Sequence, residues 1–517
     1  MKYSFISKIT ACGVITCISF LATANSFGED RYPEKINLTR GYAIEMAIRR
    51  NIDLRVEAQN SLMSESDANK SWGIYNPVLA LSGSGGVTAT TGDPFFDTKS
   101  YTSTLSLTQF LPTGGNVAAS TQSGYTNAAI STTGTVISNW QSTVGLVLTQ
   151  PILRNAGKEV AELNITVATN TLQDSLNRFR LATIDTVLSV ITAYNHLYTL
   201  RQILEARESA LNSAQKLLED IKKKSSGSLQ TMEIANAEYA VVQKQKDLVD
   251  AGRNVSDQES SLLYLMGLES KTHIVSIDPP SREEPKETGA QALKEALEQR
   301  LDLKQLQLAL KTSQLQERVA RHQTLPDLSI SGGGGFTGTG GNFGQSYSQI
   351  GDHPGTFWTV GLQFSYPLGN SAAKNDYLRN KTKTEQLQNQ IKGLEWRIRN
   401  DVEADMRALI SARVQNQMAD KSLQLAEQRL TEYRKNNQAG SATVQDVINA
   451  ENDLTSARNT QTDATETFAN AVAKLWRDMG VLLDRQGIHI DTSHPEKLFQ
   501  AGQEIPSRTA ALPASAP

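Results

Sequence analysis

At 517 residues, 39% hydrophobic and 20% charged, with a mean hydropathy of −0.37, the chain is too polar to be a bundle of transmembrane helices. Its length leaves room for two or more globular domains. The formal net charge of −3 offers nucleic acid no basic footprint, so no nucleic-acid partner is expected.

The chain opens on a short basic stretch (residues 1–8), an apolar run (9–21) and Ala22-Thr23-Ala24. That pattern is a secretory signal peptide over residues 1–24, too short to anchor in a bilayer as a helix. Both cysteines, Cys12 and Cys17, fall inside it. "ITAC" is faintly like a lipoprotein signal, but almost no apolar stretch precedes it. The mature chain is therefore expected to have no disulfide framework and no thiol chemistry.

Beyond residue 24 the chain repeats itself. "AIRRNIDL" at residue 47 matches "ALEQRLDL" at residue 296, an offset of 249, and the same offset carries Pro77 onto Pro326. "GSLQTMEIANAE" at residue 227 pairs with "GSATVQDVINAE" at residue 440, an offset of 213, which also carries Met266-Gly267 onto Met479-Gly480. Four anchors in one order make a tandem duplication. The first repeat is read as residues 25–277, a Pro-rich link as 278–288, the second repeat as 289–480 and a C-terminal tail as 481–517.

Each repeat reads helix, strands, long helix, turn, helix. In the first, a helix over residues 38–75 breaks before Pro77, strands fill 78–151, and helices follow over 158–224 and 229–266 around a Ser/Gly turn at 225–228. In the second the helices are 291–323, 372–437 and 443–479. Ala, Gln, Glu, Lys, Leu and Arg dominate them, all good helix formers. Narrow apolar stripes such as Leu409, Leu423, Leu425 and Leu430 fit coiled-coil-like seams. The 158–224 helix would be about 100 Å long. Two shorter helices stacked end to end would match it, with the link and the tail after Gly480 near the middle.

The strands carry the strongest functional signal. In "FWTVGLQFSYP", Trp358, Val360, Leu362, Phe364 and Tyr366 point one way, and Thr359, Gly361, Gln363 and Ser365 the other. An apolar, aromatic-ended face backed by small polar residues is the pattern of a membrane β-barrel strand, lipid outside and water inside. The alternative, one sheet of a soluble sandwich, has no other segment here to cover that face. The second repeat has room for two strands, near 327–332 and 357–366. The first has 33 more residues between its bounding prolines, and "LPTGG" reads as a turn between two further runs. One chain then supplies four strands, or six with the extra hairpin. The smallest membrane barrels need about eight and open edges are not tolerated in lipid, so the barrel must be shared between chains.

Taken together, the duplication, the strand exits "LTQPILRNAG" and "FSYPLGNSAA", and the glycine turns followed by "QTMEIANAE" and "VQDVINAE" resemble the TolC-like outer-membrane efflux family, over residues 38–480. The resemblance implies a mixed α and β membrane protein: a homotrimer whose shared outer-membrane β-barrel continues into a long periplasmic α-helical barrel. It implies a periplasmic adaptor and an inner-membrane transporter as partners, outer-membrane lipid around the strands, and an exit duct for small molecules. The adaptor would meet the turns at Gly227, Ser228, Gly440 and Ser441. The family commonly has an acid six positions after the turn glycine, lining the periplasmic entrance; here those positions are Glu233 and Asp446. A second acid often follows three residues later in the second repeat, where this chain has Asn449. The bland reading of Glu233 and Asp446 is a solvated acid near a helix start, favoured by the helix dipole.

No catalytic pattern competes. "GGGFTG" at residues 333–338 satisfies GxGxxG but no helix follows it, and an extracellular loop is the better reading. The six histidines show no metal-ligand spacing. No enzyme activity, cofactor or metal is expected. The alternatives are an outer-membrane channel for a polypeptide in type I secretion, and a structural surface protein with a sealed barrel.

Overall fold

A computed structural model describes residues 35–88, 98–130, 135–223, 229–268, 273–439, 441–489 and 494–500. The expected signal peptide, Gly227, Ser228, Gly440 and the end of the tail lie outside the described residues. The described elements are, in order, β1 Lys35–Leu38, α1 Arg40–Arg50, α2 Ile52–Ser71, β2 Val78–Thr88, β3 Thr98–Phe110, β4 Asn116–Ile130, β5 Thr135–Pro151, α3 Lys158–Ala161, α4 Leu163–Lys223 and α5 Leu229–Leu265. After them come β6 His273–Ser276, α6 Gly289–Gln299, α7 Leu301–His322, β7 Asp327–Gly340, α8 Phe343–Asp352, β8 Gly355–Ser365, α9 Ser371–Gln438, α10 Val444–Asp478, α11 Leu482–Arg485 and α12 Lys497–Gln500.

The helices expected over 38–75 and 291–323 are each two helices. The breaks fall at Asn51 (φ −59, ψ 127) and Arg300 (φ −58, ψ 127), the same conformation 249 positions apart. Asn51 ends α1 and starts α2: its Oδ1 accepts the Leu54 N–H at 3.0 Å, and its Nδ2 donates to the Leu265 carbonyl at 2.9 Å. Asparagine is a favoured helix start because its side chain satisfies one of the orphan N–H groups. Arg300 cannot cap in that way. Its guanidinium instead reaches Asp302 at 2.7 Å and Asp401 at 3.4 Å, tying the break to α9.

Each break receives the end of a returning helix. Gly267, at φ +64, follows α5, and a Cβ there would stand 2.4 Å from the Arg50 carbonyl oxygen. Gly480, at φ +78, follows α10, and a Cβ there would stand 3.1 Å from the Gln299 carbonyl carbon. Only glycine combines this left-handed cap with so close an approach. The shorter helices thus abut while α4, with 61 residues, and α9, with 68, run past them. At 1.5 Å per residue those two helices span about 90–100 Å.

The main core lies at this meeting level. Val187, Val190, Ile191, Tyr194 and Leu197 of α4 pack with Leu262, Leu263 and Met266, with Ile398 and Val402 of α9, and with Leu475, Met479 and Leu482. Tyr194, fully buried, donates to the Leu38 carbonyl at 2.8 Å and accepts the N–H groups of Ile277 (3.1 Å) and Asp278 (2.9 Å). The link and the start of the tail therefore do sit at mid-length. Two strands that no periodicity announced, β1 and β6, pair in parallel beside it.

A buried carboxyl pair accompanies this core. Asp405 on α9 receives the Lys474 ammonium at 2.5 Å, while its Oδ2 is buried with no donor facing it. That oxygen is satisfied if it carries a proton and donates to the Asp478 carboxylate. Burial, followed by this bond to Asp478, pushes the Asp405 carboxyl up to about 6. Asp478, despite its own burial, is held below the usual carboxylate range by bonds from Asp405 and Arg477. Asp405 then contributes stability that is complete below its ordinary value of 3.8 and lost as pH rises through about 6. Asp405→Asn, which keeps a donor toward Asp478, should gain melting temperature over the parent protein between pH 4 and pH 7. A difference constant with pH would mean that Asp405 is ionised throughout.

Candidate functional site

The six-stranded sheet runs β2-β3-β4-β5-β7-β8, every neighbouring pair antiparallel. The extra hairpin is present: β3 and β4 are joined at "LPTGG", where the Leu111 N–H meets the Gly115 carbonyl at 2.8 Å. The glycine-rich run 333–338 corrects the loop reading, because it lies within β7. Gly334 pairs with Trp358 across the strands, and the Phe357 ring lies over Gly145. The aromatic side chains cover backbone where glycine leaves space, so β7 extends eight residues beyond the expected end at 332.

Register divides the sheet into two faces, since directly paired residues share a face. Leu79 pairs with Leu107, Leu81 with Leu105, Leu146 with Gly334 and then Trp358, Leu148 with Gly332 and then Val360, and Ile330 with Leu362. Phe364, opposite Leu328, continues the row, and Tyr366 follows just past the end of β8. This face is open: Leu81 is 77% exposed, Trp358 81%, Val360 74%, Leu362 70% and Phe364 65%. Contiguous apolar surface of this size marks an interface. The other face carries Ser82, Thr102, Thr104, Ser106, Ser120, Gln122, Thr143, Ser331, Thr359 and Gln363. In the described strands of this sheet, Lys99 and Asp327 are the only residues of formal charge. No described helix is long and apolar enough to cross a membrane.

The sheet has two unpaired edges within the chain, β2 and β8. Five successive antiparallel pairings leave these edges running in opposite directions, so a second copy can add β2 to β8 and keep the alternation.

At the far pole the hairpins turn. α5 packs back along α4 and α10 along α9, with Lys222–Glu238 at 2.8 Å and Arg434–Glu451 at 2.9 Å between their legs. Lys244 on α5 donates to Asn452 Oδ1 on α10 at 2.8 Å, so the two returning helices begin on the same flank. Glu233 lies in the second turn of α5; its side chain is outside the described set. Asp446 is the third residue of α10 and closes a capping box. Its Oδ2 accepts the Thr443 hydroxyl at 2.6 Å and the Thr443 N–H at 2.9 Å, while its own N–H donates to Thr443 Oγ1 at 3.2 Å. Those bonds hold its carboxyl below the usual carboxylate range, so it stays ionised. Asn449 accepts from the Gln445 amide at 3.0 Å, and the Ser441 N–H donates to the Asn436 carbonyl at 2.9 Å, closing the turn. Asp446 therefore serves the helix start whatever else it does, and the "TVQD" spacing gave that signal.

Residues 292–481 match the family model described as outer membrane efflux protein. No curated protein matches the chain by sequence. Among solved structures, the Campylobacter jejuni CmeC outer membrane channel is similar at TM-score 0.64 and 16% identity, covering 91% of this chain and 90% of that one. The Vibrio cholerae outer membrane protein VceC gives TM-score 0.62 and 16% identity, covering 85% and 96%. The open state of the Neisseria gonorrhoeae MtrE outer membrane channel gives 0.59 and 16%, covering 86% and 89%.

The two faces make opposite demands on a charge. Arg at Leu362 should cost about 2–4 kcal/mol if that position lies near a bilayer midplane, whereas Arg at Gln363 should be accepted. Assembly yield in detergent-extracted membranes measures both. Equal yields would show that the two faces are not lipid and water.

Proposed function

From a chain whose residues 292–481 match the outer membrane efflux protein family model and whose length carries the fold of solved outer membrane channels, we propose an exit duct. It lies in the outer membrane and extends into the periplasm. Three copies place eighteen strands around a common axis, and the helices continue that wall toward an inner-membrane pump and a periplasmic adaptor. Small molecules delivered by the pump leave through the lumen. Energy comes from the partner, because the duct itself has only to stay open, wet and sealed against lipid.

The observation that carries this reading is the continuity of the two-faced sheet with α4 and α9. β5 runs through Pro151 to α3 and α4, and β8 runs through Asn370 to α9. Asn370 adopts a left-handed conformation and donates to the Thr324 carbonyl at 2.9 Å, fixing that junction to the end of α7. A soluble sandwich would have no use for an apolar face that ends in two helices of this length.

At the helical end, Glu233 and Asp446 bring three copies each toward the entrance. Carboxylates about 8 Å apart repel by roughly 0.5–2 kcal/mol per pair, depending on the local dielectric. A passing cation relieves several pairs at once, so the entrance should prefer cations and hold divalent ions. Closure must then come from helix packing and hydrogen bonds, which an adaptor docked at the Gly227–Ser228 and Gly440–Ser441 turns could loosen. Glu233→Gln with Asp446→Asn should weaken cation selectivity and divalent block in planar bilayers, read as a shift in reversal potential across a salt gradient. Because Asp446 titrates below the usual range, its share of the selectivity should persist as pH falls through 4. An unmoved reversal potential would leave both acids as helix-start residues, and a protein passing no current would end the duct reading.

A further inference from the structure

One element has no part in the duct wall. α8 leaves the top of β7 and folds back onto the sheet, with Asn342 capping its start by accepting the Gln345 N–H at 2.9 Å. Register decides which face it covers. Ser346, fully buried, bonds Ser142 at 2.7 Å, and Tyr347 bonds Thr121 at 2.8 Å and Ser123 at 2.9 Å. Ser142 pairs with Ser123 and has the parity of Val144, Leu146 and Leu148. A Cβ on Gly338 or Gly340, also of that parity, would meet Ser346 and its neighbours. The helix therefore sits on the apolar face, over a patch where that face turns polar.

A row of aromatic rings runs at the same level. Tyr101, Tyr125 and Trp140 stand in register across β3, β4 and β5. Their centroids are 6.1 and 5.3 Å apart, and the row continues through Phe343 at 5.7 Å to Tyr347 at 5.0 Å. Such belts mark the boundary between hydrocarbon and headgroups on membrane barrels. The side of α8 turned away from the sheet carries Gly344, Ser348, Gly351 and Asp352, all exposed, while Gln345 and Gln349 accept the N–H groups of Gly341 and Thr339 at the end of β7. That side would be costly in hydrocarbon.

We propose that α8 is an interfacial helix on the outward surface of the barrel, seated at the upper edge of the hydrocarbon band, with its polar side in contact with the outer-leaflet headgroups. Phe343, Tyr347 and Ile350 face the sheet and the aromatic belt, as in an amphipathic helix lying in the plane of an interface. Ser346 and Tyr347 bond the hydroxyls of Thr121, Ser123 and Ser142, the last two of which also bond each other, and so cover a polar patch on an otherwise apolar face. The proposal rests on the reading of the apolar face as lipid-facing.

Both cysteines lie in residues 1–24, so single-cysteine variants can carry an environment-sensitive fluorophore without competing thiols. Ser348→Cys and Gly344→Cys report on α8, Leu362→Cys on the apolar band and Gln363→Cys on the opposite face. The labelled protein is reconstituted in phosphatidylcholine vesicles bearing a nitroxide either on the headgroup or midway along the acyl chain. The expected result is several-fold stronger quenching of the 344 and 348 labels by the headgroup nitroxide than by the acyl one. The 362 label should show the reverse order, and the 363 label should respond to neither. Labels at 344 and 348 quenched most by the acyl nitroxide would place the helix in hydrocarbon, and labels blind to both would place it in the lumen or clear of the membrane. Either result overturns the proposal while leaving the barrel intact. A 362 label that ignores both nitroxides would instead overturn the lipid-facing reading on which it rests.

Discussion

A strand edge in lipid has no water to bond, and each unsatisfied backbone group costs several kcal/mol. β2 and β8 leave two such edges on every chain, and their opposite directions let one copy complete the next. In the proposed duct, the rest of the architecture follows from that closure. Each strand that enters a shared barrel brings its helix with it, so closing the sheet arranges α4 and α9 around the same axis. On the proposed reading the polar face would line a pore that the helices prolong, and the apolar face would meet the membrane.

Helices of 61 and 68 residues need lateral support, because isolated helices gain little from propensity alone. The two repeats supply it by abutting shorter helices along the long ones. Asn51 and Arg300 stop the entering helix at the same conformation, and Gly267 and Gly480 allow the returning helix to arrive within contact distance. The core gathers at that level, and so do the buried charges: Arg300 with Asp302 and Asp401, Asp478 with Arg477, Asp405 with Lys474 and Glu259 with Arg201. Removing one partner from a buried pair leaves an uncompensated charge, so these groups fix how the repeats meet. Away from this level the helix legs pack through smaller apolar contacts, such as Leu430 with Val447 and Ala450, and through exposed ion pairs such as Arg429–Asp453 and Lys222–Glu238. Exposed pairs contribute little, so there the hold between the legs rests on these smaller apolar clusters.

Much of this could be read from residue order. Two-residue alternation identifies β8 and its faces, the prolines bound the strands, and the constant offsets expose the duplication. The breaks at Asn51 and Arg300 were harder, since both lie within continuous helix-forming sequence. Asn51 before Ile-Asp is a capping signal, but Arg300 makes no side-chain cap, and its ion pairs are with Asp302 and with Asp401, which is distant in sequence. β1 and β6 were hidden because four residues paired in parallel across more than two hundred positions leave no periodicity. Tyr194 gave no sign either, since its role comes from three backbone groups that only the fold assembles. The glycine run in β7 was misread because glycine is disfavoured in strands unless a neighbour covers it, and Phe357 and Trp358 are those neighbours. Glu233 and Asp446 occupy the middle ground: their spacing from the turn glycines is legible, whereas the bond between Asp446 and Thr443, which gives that carboxylate a place in the helix start, needed the fold.

The central claim is that the sheet closes only between chains, by β8 of one protomer pairing with β2 of the next. Its most direct measurement is a cysteine cross-linking scan in intact membranes, with one thiol at Ala80, Ser82 or Ser84 and a second at Thr359, Gly361 or Gln363, all on the polar face. Oxidation should give covalent dimers and trimers for the pairs in register and none for pairs several residues out of register. Monomers throughout the scan, or links formed only within one chain, would contradict it.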